Sequence, residues 1–213
     1  MAYQQDKYAH LYPRLSLIRR LEVGMIASGI PYHTQRARRW LAGKIQEIGG
    51  RMNVPQFIAQ QTADKKIASQ AIQGKLIFFY YDAKTKAKLP FWDKFPLVLP
   101  IEKYPDGFLG LNFHYLPMKY RAKLLDALLT NLNNAKMDDS TKFRVNYNLL
   151  KNTAKYWMFK PTLKRYLTAH IRSKIITVTP DQWEIAIFLP AERFQKKSKD
   201  EVWKDSINTL EHN

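Results

Sequence analysis

The 213-residue sequence predicts an α+β protein in which a small curved antiparallel sheet carries helical insertions and follows a helical N-terminal arm. Apolar residues recur at helical spacing in the first part of the chain, and β-rich apolar runs replace them from Gly74 onward. With 46% apolar residues, a chain of this length can build one packed core. For the sheet we prefer a small SH3-like barrel.

The chain divides into a basic helical arm at residues 1–73, an α+β core domain at residues 74–190 and a polar tail at residues 191–213. In the arm, apolar residues at positions 15–25 predict a first helix. A second helix should begin at residue 34 or 35 and end at the glycine pair 49–50, because glycine commonly terminates helices.

Three strands are expected in the first half of the core domain. Residues 75–81 form an apolar, β-rich run that ends in a polar turn. Residues 95–101 and 108–115 form two further runs, joined by a Pro-Asp-Gly turn at residues 105–107. Two prolines in the middle run make that strand irregular or place it at an edge.

The second half of the core domain mixes helices and strands. Pro117 favours the start of a helix whose apolar face continues to Leu132. Residues 163–171 are interpreted as a short helix, whereas residues 175–178 and 187–190 are interpreted as strands.

Composition and motifs argue against several kinds of chemistry. The absence of cysteine excludes disulfides, thiolate zinc sites and cysteine nucleophiles. Phosphate-binding and hydrolase motifs are absent, the five histidines lack metal-ligand spacing, and no carboxylate cluster suits a metal-dependent nuclease. No apolar stretch approaches the roughly 18 residues of a membrane span. We therefore expect no catalytic residue, metal, cofactor, small-molecule substrate or membrane partner.

The charge distribution points to an anionic partner. The chain carries 35 lysines and arginines against 18 acids, a formal net charge of +17. The 41 residues between Asp139 and Asp181 contain nine cations and no acid, with aromatic residues interspersed. This mixture suits phosphate neutralisation and stacking on exposed bases. Alternatively, the aromatic residues belong to the core and the cations form a solvated face.

We expect DNA to be bound through its backbone, without readout of the bases. The predicted phosphate ligands are Arg36, Arg38, Arg39, Lys151, Lys155, Lys160, Lys164, Arg165, Arg172 and Lys174. Tyr156 and Trp157 are the candidate stacking groups for the terminal base pair.

Several long segments carry a resemblance to a known family. They include residues 75–97, residues 107–117 and residues 121–128, and further short matches extend to Ser206. In these segments the sequence resembles the DNA end protector proteins of T-even-type tailed phages and their marine relatives. The resemblance covers residues 36–206 approximately.

The resemblance implies a non-catalytic virion protein that caps the ends of packaged double-stranded DNA and shields them from host exonuclease after injection. Its partners would be DNA ends and other virion subunits, and it would reside in the virion and in the host cytoplasm during assembly and after injection. A different class of function also remains open. A structural connector of the neck, tail or baseplate could use the same basic surface to contact acidic neighbouring subunits.

Overall fold

The computed structural model describes residues 17–31, 34–63, 67–68, 71, 74–129, 160–179 and 182–211. Six helices lie within these residues. They are α1 (Leu17–Ala27), α2 (Gln35–Gly49), α3 (Val54–Ala63), α4 (Met118–Leu129), α5 (Trp183–Phe188) and α6 (Lys199–Glu211). None of these helices combines the length and apolar character that crossing a membrane requires.

The main sheet is antiparallel, with the strand order β1-β7-β2-β4-β5-β6. Its strands are β1 (Ile67–Ala68), β2 (Leu76–Phe78), β4 (Leu97–Tyr104), β5 (Gly107–Asn112), β6 (Leu163–Leu167) and β7 (Ile175–Val178). Strands β3 (Trp92–Asp93) and β8 (Phe194–Gln195) form a separate short pair. The α+β class and the antiparallel sheet are thus confirmed.

The sheet is not closed, so the expected SH3-like barrel is wrong in this respect. Strands β6 and β7 are joined by the 3₁₀ helix Thr168–His170. Strand β7 uses one edge to pair with β2 and the other to pair with β1, which leaves it no edge for β6. An isolated β-bridge between Tyr81 and Ile171 joins this connection to the chain after β2.

Both faces of the sheet are buried. Along β2, Leu76 and Phe78 face the helices, whereas Ile77 faces the opposite side of the sheet, as the two-residue period of a strand requires. Aromatic rings pack on this opposite side, where Phe79 and Tyr166 meet edge to face at 5.2 Å between centroids. A second apolar cluster therefore supports the sheet on the side away from the helices.

The N-terminal helices pack onto the same core as the sheet. Leu21 of α1, Ile45 of α2 and Phe57 of α3 belong to the apolar cluster on the helical face. Helix α2 approaches α5 so closely that a Cβ on Gly49 would lie 2.4 Å from the carbonyl oxygen of Phe188. Glycine is required at this crossing. The proposed boundaries between arm, core domain and tail remain predictions.

Two element types differ from the sequence-based expectation. Residues 163–167 form strand β6 instead of a helix, because they pair along their whole length with β5. Residues 187–188 end helix α5 instead of starting a strand, and Ala186, Ile187 and Phe188 are all buried in the core. Short apolar runs of this kind suit either a strand or a buried helix.

Candidate nucleic-acid interface

A cleft of about 730 Å³ opens between the β4–β5 hairpin and the segment that joins β6 to β7. Lys103 comes from the hairpin, and Arg172 and Lys174 come from the joining segment. All three side chains are exposed. Phe108 and Ile175 line the cleft as well and are buried. The cleft thus combines a cationic rim with an apolar floor.

A tight turn shapes the first wall of the cleft. Strands β4 and β5 pair up to Tyr104 and Gly107, so that only Pro105 and Asp106 form the turn. A Cβ on Gly107 would lie 1.9 Å from the carbonyl oxygen of Tyr166, so only glycine allows β6 to approach here. The Thr168 backbone N–H donates to the Asp106 carbonyl oxygen at 2.9 Å and ties the two walls together.

Arg165 reinforces this wall. Its guanidinium forms an ion pair with Asp106 and donates to the Tyr166 carbonyl oxygen at 3.0 Å. It also lies over the Tyr104 ring, 4.2 Å from the centroid, where a cation–π contact is favourable. The predicted phosphate ligand Arg165 is therefore already engaged in holding the hairpin beside β6.

The second wall is fixed by backbone contacts to the chain after β2. The Arg172 backbone N–H donates to the Tyr80 carbonyl oxygen at 2.8 Å, and the Tyr80 N–H donates to the Ser173 hydroxyl at 2.8 Å. The pKa of nearby Asp82 is lowered by a hydrogen bond from Lys86, and the charge of Arg172 adds to this effect. Arg172 and Lys174 thus extend from a segment whose backbone is hydrogen-bonded to the chain after β2.

Apart from Arg165 and Lys164, the predicted phosphate ligands and stacking residues lie at the cleft, just before β6, on α2, or outside the described residues. Arg172 and Lys174 line the cleft, and Lys160 is exposed just before β6. Arg36, Arg38 and Arg39 are exposed on α2. Lys151, Lys155, Tyr156 and Trp157 lie outside the described residues.

Lys164 differs from the other predicted ligands. It lies on the same face of β6 as Tyr166, and its ammonium nitrogen lies 4.1 Å from the centroid of the Tyr115 ring. Burial lowers the pKa of Lys164 to about 8, because desolvation disfavours the charged form. Lys164 is half-buried, whereas Arg172 and Lys174 at the rim of the cleft are exposed.

A second group of cations lies on the helical side. The pKa of Lys119 on α4 is lowered by partial burial and by the charges of Lys123 and Arg38, while Glu22 opposes this shift. Arg38, Lys119 and Lys123 therefore share one electrostatic environment, which we call the α2–α4 patch. Lys119 and Lys123 were missed in the sequence analysis, although their four-residue spacing places them on one face of a helix.

A buried polar network lies between strands β3, β5 and β6. The Asp93 carboxylate is 2.7 Å from Nδ1 of His114 and accepts a hydrogen bond from the Asn112 amide at 3.2 Å. The same amide donates to the Tyr166 hydroxyl at 3.0 Å. His114 lies in the 3₁₀ helix Phe113–Tyr115 and is fully buried, and the network as a whole joins β3, β5 and β6.

A buried ion pair extends this network to the helices. Arg121 of α4 pairs with Glu192 and donates to the carbonyl oxygens of Leu116 at 2.8 Å and Ile187 at 3.0 Å. Burial by itself would raise the pKa of Glu192, but the facing Arg121 lowers it overall.

In the part of the chain that the structure describes, no group of three or more acidic or histidine side chains could hold a metal ion.

Comparison with known proteins identifies one family. A family model described as the Phage T4 terminal DNA protecting protein matches residues 41–206, well over half of the chain. The match includes the cleft, α4 and the buried polar network. Neither the comparison with curated proteins nor that with solved structures finds a match.

Proposed function

Because this chain belongs to the family of the phage T4 terminal DNA protecting protein, we propose that it binds the ends of packaged double-stranded DNA and protects them from host exonuclease. The protein acts as a bound cap, and its role requires no chemical reaction. Binding is independent of sequence, because charge on the DNA backbone is the same for every base pair.

The observation that carries this proposal is the cationic rim of the cleft, given the family to which the chain belongs. Lys103, Arg172 and Lys174 come from two distant parts of the chain and meet at one opening. Contacts between such side chains and phosphates position a protein on DNA without specifying a sequence. The cap then blocks the terminal nucleotides that an exonuclease must engage.

The proposal includes a location and further contacts. The protein resides in the virion and enters the host cytoplasm with the injected DNA. Its remaining surface contacts other virion subunits, and the α2–α4 patch is available either to these subunits or to DNA away from the end.

Digestion of linear duplex by an exonuclease, with and without the protein, tests the proposal. We expect protection of linear DNA and preferential binding to linear over closed circular duplex of the same length. The variant Arg172→Glu with Lys174→Glu should lose protection, whereas Lys88→Glu with Lys204→Glu should retain it, since it changes the charge equally at exposed positions elsewhere.

Two results would contradict the proposal. One is equal binding to linear and circular DNA together with unimpaired digestion. The other is loss of protection to the same extent in both charge-reversed variants, because a general charge effect would then explain the binding. A stoichiometric complex with an acidic virion subunit in place of DNA would favour the connector role.

A further inference from the structure

The cleft has a floor that duplex phosphates do not require. Phe108 and Ile175 are each only 4% exposed and form its base, while the accessible apolar surface comes from half-buried Ile171 and the Tyr104 ring. Phosphates lie on the outside of a duplex and can be contacted by exposed cations such as Arg172 and Lys174 alone. An apolar floor below these cations suits a ligand that has a flat apolar part as well as a negative charge.

The size of the cleft restricts the ligand further. A volume of about 730 Å³ is that of a site for a small organic molecule, which has the dimensions of one or two nucleotides. A DNA duplex is much wider than a site of this size, since its major groove alone measures about 12 Å across. Only nucleotides that have separated from the partner strand can reach the floor.

We infer that the cleft binds unpaired nucleotides at the end of the DNA, with a base on the apolar floor and the adjoining phosphates at Arg172 and Lys174. Tyr104, held by Arg165, adds an aromatic ring to the wall. A cationic groove with aromatic surfaces is the usual way in which proteins bind single strands without sequence preference. This inference rests on the proposed function and names the form of the DNA end that the cleft takes.

Four DNAs of the same duplex length separate the possibilities. One has a blunt end, one carries a four-nucleotide single-stranded overhang, one carries an overhang of four abasic units, and one is a dumbbell closed at both ends. We expect the overhang to bind at least about fivefold more tightly than the blunt end, as stacking of one base allows. The abasic overhang keeps the phosphates but lacks the bases, so it should lose most of this advantage.

A variant that fills the cleft without changing its charge locates the site. Thr168 is exposed and lines the cleft, so Thr168→Trp should narrow the opening. The matched control is Ala169→Trp, because Ala169 is the next exposed residue and lies outside the cleft lining. The Thr168 variant should bind blunt and overhang DNA equally, while the Ala169 variant keeps the preference. Thermal unfolding of both variants verifies that they fold.

The outcomes distinguish this inference from the proposed function. Equal binding of blunt and overhang DNA by the unaltered protein would overturn the inference and leave end binding intact. An overhang preference that survives in Thr168→Trp, or that persists with abasic units, would also overturn it. Binding of the closed dumbbell as tightly as of blunt DNA would instead overturn the proposed function.

Discussion

The cleft and the α2–α4 patch both gather cations, but they hold them in different ways. Arg172 and Lys174 of the cleft extend from backbone that is hydrogen-bonded to its neighbours, whereas Arg38, Lys119 and Lys123 extend from the surface of two helices. The cleft also has an apolar floor beneath its charges. The cleft can therefore fix the position of a ligand, while the patch contributes attraction over a wider area.

The buried ion pair between Arg121 and Glu192 lies in the core that supports α4, and its removal should have the largest effect on stability. We expect Arg121→Ala to lower the free energy of unfolding by about 3 to 5 kcal/mol, because it leaves Glu192 buried without its partner. Denaturant unfolding measures the loss. Arg121→Met combined with Glu192→Gln removes both charges and should recover at least half of it. Failure of this double variant to recover stability would show that the hydrogen bonds of Arg121 matter more than its charge.

Neutralising the rim of the cleft should weaken DNA binding more than neutralising the patch. We expect Arg172→Gln with Lys174→Gln to reduce affinity on the order of 50-fold at 0.1 M salt and to make the salt slope shallower by about 2. The matched variant is Arg38→Gln with Lys123→Gln. It should reduce the affinity for DNA by less than about tenfold, because Arg38 and Lys123 do not line the cleft. Fluorescence anisotropy across a salt series measures both. A larger loss from the patch variant would reverse the comparison.

Lys164 is half-buried, so its charge should affect stability and DNA binding differently from the cations of the cleft and of the α2–α4 patch. Its pKa is about 8 in the folded protein and near 10.4 in an unfolded chain, so its charge destabilises the fold at neutral pH. That cost should decrease as the pH rises from about 8 to 10.4. We expect Lys164→Met to stabilise the protein by about 1 to 2 kcal/mol at pH 7. The variant should also remove the increase in stability that the unaltered protein shows between about pH 8 and 10.4.

Unfolding curves at pH 7 and pH 9.5 for both proteins check this expectation. The salt slope of DNA binding should remain unchanged in Lys164→Met, because the ammonium is half-buried over the Tyr115 ring. A slope that becomes shallower by about 1 would instead make Lys164 a phosphate ligand, as the sequence predicts.

The smallest expected effect concerns the patch. Arg38 contributes to the lowered pKa of Lys119, so Arg38→Gln should raise that pKa. Side-chain NMR titration of Lys119 measures the change. Arg36→Gln, on the same helix, serves as the control. An equal rise in both variants would mean that the patch is not a distinct cluster.

The sequence predicted those elements whose signals are local. Thr34 caps α2 by accepting a hydrogen bond from the Ala37 N–H at 3.1 Å, and the helix ends at the expected glycine pair. The Pro-Asp-Gly turn between β4 and β5 is also confirmed. The strand type of β6 and the helical type of residues 187–188 at the end of α5 were not predicted, because each segment is short and depends on partners far away in the chain.

The candidate site could be predicted only in part for the same reason. Arg172 and Lys174 stood out because the segment around them contains no acid. Nothing local indicated Lys103, which lies in a different hairpin and joins them through the pairing of β5 with β6. The position of Lys164 on the same face of β6 as Tyr166 follows from the two-residue period of the strand, which the helical interpretation of that segment concealed.

The pairing of β2 with β7 also has a consequence for the order in which the chain folds. Ile77 lies opposite Thr177, so two residues about 100 positions apart must meet before the sheet is complete. Contacts of such long range slow folding, since a large loop must close before they form. The second wall of the cleft is the segment that leads into β7. During synthesis, most of the chain must therefore leave the ribosome before the cleft exists, and no ligand can bind there until then.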